Sequence, residues 1–132
     1  MVKRVKQLSI LLSNRPGLLS HACSVLSQNN VNILALSVLD HVDHSVVRFV
    51  ADNPTKALLL LEEEDIFVIE TDVVINQMSN QPGGLTLIAH KLARADINIE
   101  YAYCTAAENQ DIAQMVLKTD NLERTIDLLT QK

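Results

Sequence analysis

The sequence predicts an α+β protein built from two similar units, each with the order strand, helix, strand, strand, helix, strand. The first observation is a repeat: NRPGLLSHACSVLSQNNVNI at residues 14–33 returns as NQPGGLTLIAHKLARADINI at residues 80–99. Asn80 follows Asn14 by 66 residues, which suits one small domain better than a solenoid unit. The second observation is that extended apolar runs alternate, in both copies, with segments whose apolar residues recur at helical spacing.

The first half of each copy is predicted to be a strand, a turn and a helix, followed by a second strand. An apolar run, residues 5–12 or 73–78, ends at Asn-x-Pro-Gly. Proline suits the first turn of a helix, so we expect a helix to begin there and to bury one face. Residues 31–40 and 97–105, rich in β-branched, apolar or aromatic side chains, then form the second strand.

The second half of each copy is predicted to contain a third strand and a second helix. Asn53 before Pro54 is expected to cap this helix in the first copy, and Asp120, with Glu123 three residues on, in the second. Residues 66–70 supply a fourth strand to the first copy only. In the second copy this strand is predicted to be missing, donated by another chain, or replaced by pairing elsewhere.

Two helices on one face of a four-stranded antiparallel sheet form a ferredoxin-like unit, and the sequence predicts two of them, at residues 1–70 and 71–132. The 66-residue offset leaves no linker between them, so residues 66–77 are expected to form one long or bent strand that serves both. If both units of one chain paired through their second strands, this junction would have to span roughly 29 Å. We therefore expect those strands to pair with a second chain, in a homodimer.

Composition excludes several kinds of partner. Eleven basic and sixteen acidic residues give a net charge of -5, and no basic cluster with interleaved aromatic residues appears, so nucleic acid is not expected. The apolar stretch near the amino terminus is too short for a signal segment or a membrane span, which predicts a cytoplasmic protein. Cys23 and Cys104 form no metal-binding spacing and are expected to be buried thiols. The acidic and histidine residues at 40–44 are interpreted as a polar hairpin tip, and no metal or cofactor is expected.

The repeated turn itself predicts an anion site. Gly17 and Gly83 lack a Cβ atom, so a ligand can approach the unpaired N–H groups at the start of the following helix. The helix dipole adds partial positive charge there, which favours a carboxylate. Asn14 and Asn80 supply both donor and acceptor atoms. The alternative is that this motif is only favourable turn chemistry.

With Asn-x-Pro-Gly, a helix and (Val/Ile)-Asn-Ile in both copies, the sequence resembles the tandem ACT domain proteins, which are amino-acid-sensing regulatory modules. The resemblance covers nearly the whole chain. It implies a non-catalytic, allosteric role in amino acid metabolism, with an amino acid bound between the turn of one ACT unit and the second strand of another. The residues that would bind the ligand are Asn14, Arg15, Pro16, Gly17, Leu18, Asn32, Asn80, Gln81, Pro82, Gly83, Gly84, Asn98 and Glu100.

The two pockets implied by this arrangement differ in charge. Strand alternation places Asn32 on one face with Leu34, and Asn98 with Glu100. One pocket then combines Arg15 with Glu100 and suits a zwitterionic amino acid, whereas the other is nearly neutral. The first is predicted to be the working site, and the alternative is that its two charges are solvated surface groups. The first pocket also contains Asn14 and Asn98. The second contains the turn residues Asn80 and Gln81 with the strand residues Asn32 and Leu34.

Two other functions fit the same fold. One is a protein-interaction or regulatory subunit of an amino-acid biosynthetic enzyme that binds no ligand of its own. The other is an acylphosphatase-like hydrolase, in which Arg15 would bind phosphate and Asn32 would orient water. Gln81 replaces the arginine in the second copy, and no catalytic constellation accompanies either residue. We therefore predict that the protein is not an enzyme.

Overall fold

The structure, a computed structural model, describes residues 1–131, and within them it contains six strands and four helices. This arrangement confirms the predicted α+β class with two ferredoxin-like units. The elements in chain order are β1 (Val2–Ser13), α1 (Leu18–Gln28), β2 (Ile33–Asp40), β3 (His44–Ala51), α2 (Pro54–Glu63), β4 (Val68–Ser79), α3 (Gly84–Arg94), β5 (Ile99–Thr105), β6 (Ile112–Thr119) and α4 (Leu122–Thr130).

The first unit comprises Lys6–Thr71, and its sheet has the order β2, β3, β1 and then the start of β4. β3 is antiparallel to both neighbours, and Phe49 lies opposite Leu8 on one side and Leu36 on the other. The alternation along β1 buries Leu8 and Ile10 in the core. Helical spacing does the same for apolar residues of α1 and α2, as predicted. These core residues are Ala22, Leu26, Ala57 and Leu61.

The second unit comprises Met1–Val5 and the chain from Asp72 onward, and its sheet has the order β1, β4, β6, β5. β6 is antiparallel to both β4 and β5. Its core forms where the sheet packs against α3 and α4 and includes Val74, Leu92, Met115 and Leu117. The division into two ACT-like domains at residues 1–70 and 71–132 stays a prediction.

The fourth strand of the second unit is formed by residues 1–5 of the same chain. The Gln77 main-chain N–H donates to the Met1 carbonyl at 3.0 Å, and the Arg4 guanidinium lies 2.8 Å from the Asp72 carboxylate. Val2 packs against the second core. Of the three possibilities that the sequence left open, pairing elsewhere is the one that occurs. The charged residues Lys3 and Arg4 are exposed on this strand, so no apolar run marked it in the sequence.

The junction between the copies is one long strand, as predicted. β4 runs without interruption for 12 residues, from Val68 to Ser79. Its residues up to Thr71 belong to the first unit and those from Asp72 to the second. None of the helices within residues 1–131 combines the length and hydropathy that a bilayer crossing requires.

The predicted cap of the second helix is correct in the first copy and wrong in the second. The Asn53 side chain accepts a hydrogen bond from the Lys56 N–H, whereas α4 is capped by Asn121, which accepts from the Arg124 N–H. The hairpin between β5 and β6, residues 106–111, is longer than the one at residues 41–43. Equivalent positions beyond the hairpin therefore lie 68 residues apart, and Asn121, not Asp120, corresponds to Asn53.

The first helix of each unit begins later than predicted. α1 starts at Leu18 and α3 at Gly84, because the preceding Gly17 and Gly83 have φ of 92° and 94°. Such left-handed backbone is strained for residues with a Cβ atom. Pro16 consequently lies in the turn and not in the helix.

Candidate functional site

The turns before α1 and α3 leave main-chain N–H groups without helical partners. In the first unit the earliest helical hydrogen bond runs from the His21 N–H to the Gly17 carbonyl at 2.9 Å. The N–H groups of Leu18, Leu19 and Ser20 come before it, and no side chain caps this helix. Because α2 and α4 both carry an asparagine cap, the missing caps are specific to the two repeated turns. These N–H groups can bind an anion.

The two motif asparagines join each turn to the hairpin of its own unit. The Asn14 amide nitrogen lies 3.1 Å from the Asp40 carboxylate, and its main-chain N–H donates to the Asp43 carbonyl. The Asn80 amide nitrogen donates to the carbonyls of Ala107 and Gln110 at 2.9 and 2.8 Å. The amide donors predicted to serve a ligand are therefore used within the chain, and they hold the turn in place.

A concavity of about 150 Å³ lies beside the turn of the first unit. Asn14 and Arg15 contribute to its rim, and its apolar lining is Leu12, Leu18, Leu19, Val38 and Val47. Arg15 is exposed, and its guanidinium has no hydrogen-bond or ion-pair partner within residues 1–131. Most of the apolar lining was not among the predicted site residues, since periodic apolar residues in a sequence indicate core equally well.

The corresponding turn of the second unit has a different chemistry. Its concavity, about 470 Å³, is wide and is lined by Gln77, Gln81 and Asp111 among others, with no arginine. Gly84 has a packing role here, because a Cβ atom at this position would overlap the Ser79 carbonyl. The same addition at Gly83 would meet open space, so the left-handed backbone is what requires glycine at that position.

The second-strand residues of the predicted site are positioned by two matching main-chain contacts. The N–H groups of Asn32 and Asn98 donate to the carboxylates of Asp52 and Asp120, at 3.0 and 3.1 Å. The side chains of both asparagines are without a hydrogen-bond partner within residues 1–131, which leaves them available at the start of each strand. These starts belong to β2 and β5, the edge strands of their units.

Strict alternation of side chains between the two faces of a strand does not hold at the starts of β2 and β5. The register of β2 shifts between Ile33 and Ala35, and that of β5 shifts between Ile99 and Tyr101. A bulge of this kind places two residues opposite one, so the rule that residues two apart share a face does not hold across it. Leu34 and Glu100, the residues within the two shifts, are both exposed.

Glu100 has a partner in its own unit. The Lys118 ammonium lies 3.7 Å from the Glu100 carboxylate, and both side chains keep part of their surface in solvent. An exposed pair at this distance is weak and easily exchanged for a ligand. The predicted partner of a ligand ammonium is therefore engaged but not buried.

The two cysteines differ in exposure. Cys23 is half-buried and Cys104 exposed, so the expectation of two buried thiols was wrong for Cys104, which lies on an edge strand. Partial desolvation raises the pKa of the Cys104 thiol, which disfavours the reactive thiolate. His41 and His44 stack with ring centres 5.0 Å apart. The described residues contain no cluster of three or more metal-ligating side chains.

Comparison with known proteins gives one family and several related structures. The family model described as the ACT domain pair matches residues 3–132. The crystal structure of protein BT0572 from Bacteroides thetaiotaomicron is 32% identical in sequence, with a TM-score of 0.92, and the match covers 98% of this chain and 88% of that one. No curated protein matches the chain.

More distant structures share the fold alone. The regulatory subunit of aspartate kinase from Thermus thermophilus, in its ligand-free form, is 15% identical with a TM-score of 0.72, over 96% of this chain and 91% of that one. The corresponding subunit from Thermus flavus is 14% identical with a TM-score of 0.67, over 98% and 95% of the two chains.

Proposed function

The chain belongs to the family of ACT domain pairs, and on this premise we propose that it is a non-catalytic regulatory module that binds an amino acid at the turn before α1. The single observation that carries the proposal is the unpaired Arg15 guanidinium at the rim of an apolar concavity, next to a helix start without a side-chain cap. Arginine is suited to a carboxylate because its planar fork offers two parallel donors.

The proposed ligand contacts follow from the chemistry of the rim and lining. The carboxylate of the amino acid accepts hydrogen bonds from Arg15 and from the N–H groups at the start of α1. The ligand side chain contacts the apolar lining formed by Leu18, Val38 and their neighbours. A dry cavity of about 150 Å³ accepts a molecule as large as benzene, so a small aliphatic side chain fits this volume. The first unit is therefore proposed to prefer a small apolar amino acid.

A second copy of the chain is proposed to complete the site. β2 and β5 are the outermost strands of the sheets of their units, and the main chain of an edge strand can pair with a strand of another chain. Apolar side chains of β2, including Leu34 and Leu39, are 40–49% exposed. We propose that these edges pair in a homodimer, which brings Asn98 and Glu100 of one copy to the turn of the other. Glu100 then exchanges its weak contact with Lys118 for the ligand ammonium. A cytoplasmic enzyme of amino acid metabolism is the proposed regulatory partner.

A thermal-shift screen of the twenty amino acids, with wild type beside Arg15→Gln, tests the ligand proposal. Glutamine is the residue that the second unit carries at the equivalent position, Gln81. A ligand at one hundred times its dissociation constant stabilises the folded protein by about 2.7 kcal/mol, so the melting temperature of wild type should rise by several degrees. Without a charged donor, Arg15→Gln should bind about tenfold to a hundredfold more weakly.

The matched control is Gln81→Ala, which changes the equivalent residue of the other turn and should leave the response intact. Because Arg15 is exposed and has no partner among residues 1–131, the stability of Arg15→Gln without ligand should stay within about 0.5 kcal/mol of wild type. An unchanged response of Arg15→Gln to small apolar amino acids, or no response of wild type to any amino acid, would contradict the proposal.

If the proposed homodimer forms through β2, lysine substitutions on this strand should separate the two copies. Light scattering on wild type should give the mass of two chains, whereas the double variant Leu34→Lys with Leu39→Lys should give the mass of one, since charges on an edge strand disfavour strand pairing. Leu59→Lys is the matched control, because Leu59 is 56% exposed on α2, away from the edge. A monomeric wild type, or an equally monomeric Leu59→Lys, would rule out this dimer.

A further inference from the structure

The second unit has a polar residue at a position where the first unit has core. Asn76 lies 66 residues after Ile10. Asn76 is opposite Met115 on β6, and Ile10 is opposite Val47 on β3. Ile10 belongs to the first core and is 2% exposed. Asn76 is 5% exposed, so its amide has been removed from bulk water almost as completely. An amide at this depth needs a hydrogen-bond partner.

Within residues 1–131 the Asn76 side chain has no such partner. Its polar atoms are not fully enclosed, and Asn76 lines a concavity of about 220 Å³ between β4 and α3. The isoleucine of the first unit has no polar group that needs such a partner. The concavity is thus the place where the missing hydrogen bonds of Asn76 can be made.

The walls of this concavity supply a cation and apolar surface. Lys91 is half-buried there. Among residues 1–131 its ammonium makes one long contact, 3.5 Å to the Gln131 carbonyl, which is beyond a normal hydrogen-bond distance. Leu87, Ile88 and Leu129 form the apolar part. α3 starts at the concavity with Gly84 and lacks a side-chain cap. The site therefore offers a positive charge and an unsatisfied amide, separated by hydrocarbon.

From these features we infer that the second unit has a binding site of its own, beneath α3, for a small carboxylate whose other end carries a hydroxyl or carboxamide group. The carboxylate contacts Lys91, and the hydroxyl or carboxamide pairs with Asn76. The volume equals that of about seven liquid waters, which accommodates a small polar amino acid. This site is independent of Arg15 and of the turn in the first unit.

The variant Asn76→Ile, which copies the residue of the first unit, separates a binding role from a structural one. Isoleucine suits a buried strand position and removes the unpaired amide. We expect the melting temperature without ligand to stay equal or rise, and calorimetric binding of the probes to disappear. The probes are L-threonine, L-serine, L-asparagine and L-glutamine, with L-valine and acetate as controls that lack the polar group. In the Arg15→Gln background, where the first-unit site is weakened, at least one probe should bind about tenfold more tightly than both controls.

Lys91→Gln is the second variant and tests the contribution of the cation without changing the core. It should weaken the same probe about tenfold while leaving the Arg15-dependent response of the first unit unchanged. Loss of stability in Asn76→Ile would show that the amide has a structural partner, and would overturn the inference. So would equal binding of the probes and controls, which is the result expected if the concavity holds water only.

Discussion

Deletion of residues 2–5 is expected to unfold the second unit and to leave the first unit folded. These residues form the strand beside β4 in that unit, and the deletion removes the packing of Val2 and the Arg4 contact with Asp72. It also leaves the hydrogen-bonding edge of β4 beyond Thr71 without a partner. Full burial of a valine contributes about 1.5–3 kcal/mol, the partial burial of Val2 contributes less, and each hydrogen bond contributes about 1 kcal/mol, so the combined loss should reach about 3 kcal/mol.

Hydrogen exchange measures this effect unit by unit. Amides of β5 and β6 should lose their protection in the shortened chain, whereas those of β3 and α1 should keep it. Arg4→Gln is the control, because it removes only an ion pair with partly exposed side chains and should cost less than about 1 kcal/mol. Full protection of β6 after the deletion would contradict the assignment of residues 1–5 to this sheet.

Gly84→Ala is expected to destabilise the second unit by up to about 3 kcal/mol, the upper part of the usual range for overpacking. The new Cβ atom would overlap the Ser79 carbonyl, which is main chain at the end of β4 and cannot rotate away. α3 would have to move relative to the turn. The same shift would alter the concavity beneath α3, so binding of polar carboxylates there should be lost together with stability.

Chemical unfolding of Gly84→Ala beside Gly83→Ala tests this packing argument. At Gly83 a Cβ atom meets open space, and only the left-handed backbone is penalised, by about 1–2 kcal/mol. Gly84→Ala should therefore be the less stable of the two. The opposite order would mean that backbone conformation, and not contact with Ser79, requires glycine in this turn.

The sequence was sufficient to predict the architecture because the two copies of the repeat each indicate the same order of strands and helices. Helical spacing around Leu26, the Asn53 cap and the long strand through the junction are all present in the structure. The cap of α4 was wrong because the hairpin of the second copy is longer, and a single 66-residue offset cannot include such an insertion. The strand at residues 1–5 was missed because its contribution to the sheet is mostly main chain, which side-chain patterns do not record.

The candidate sites were less predictable, because they depend on burial, hydrogen-bond partners and strand bulges that the sequence does not show. Arg15 stood out in the sequence because its copy has Gln81 instead. Asn76 did not, because an isolated asparagine in a strand pattern shows neither its depth nor its missing partner. Leu34 and Glu100 were paired with the asparagines by strict alternation, which the bulges in β2 and β5 interrupt. The site inferred beneath α3 depends on the depth and hydrogen bonding of Asn76, which residue type does not show.

The central claim is that an amino acid carboxylate binds at Arg15 and at the start of α1. Amide NMR spectra of the labelled protein, recorded as the amino acid chosen by the thermal screen is added, test it most directly. We predict that the largest changes occur at the main-chain amides of Leu18, Leu19 and Ser20, and that Arg15→Gln abolishes them at the same ligand concentration. Changes confined to other residues, or identical changes in Arg15→Gln, would contradict the account.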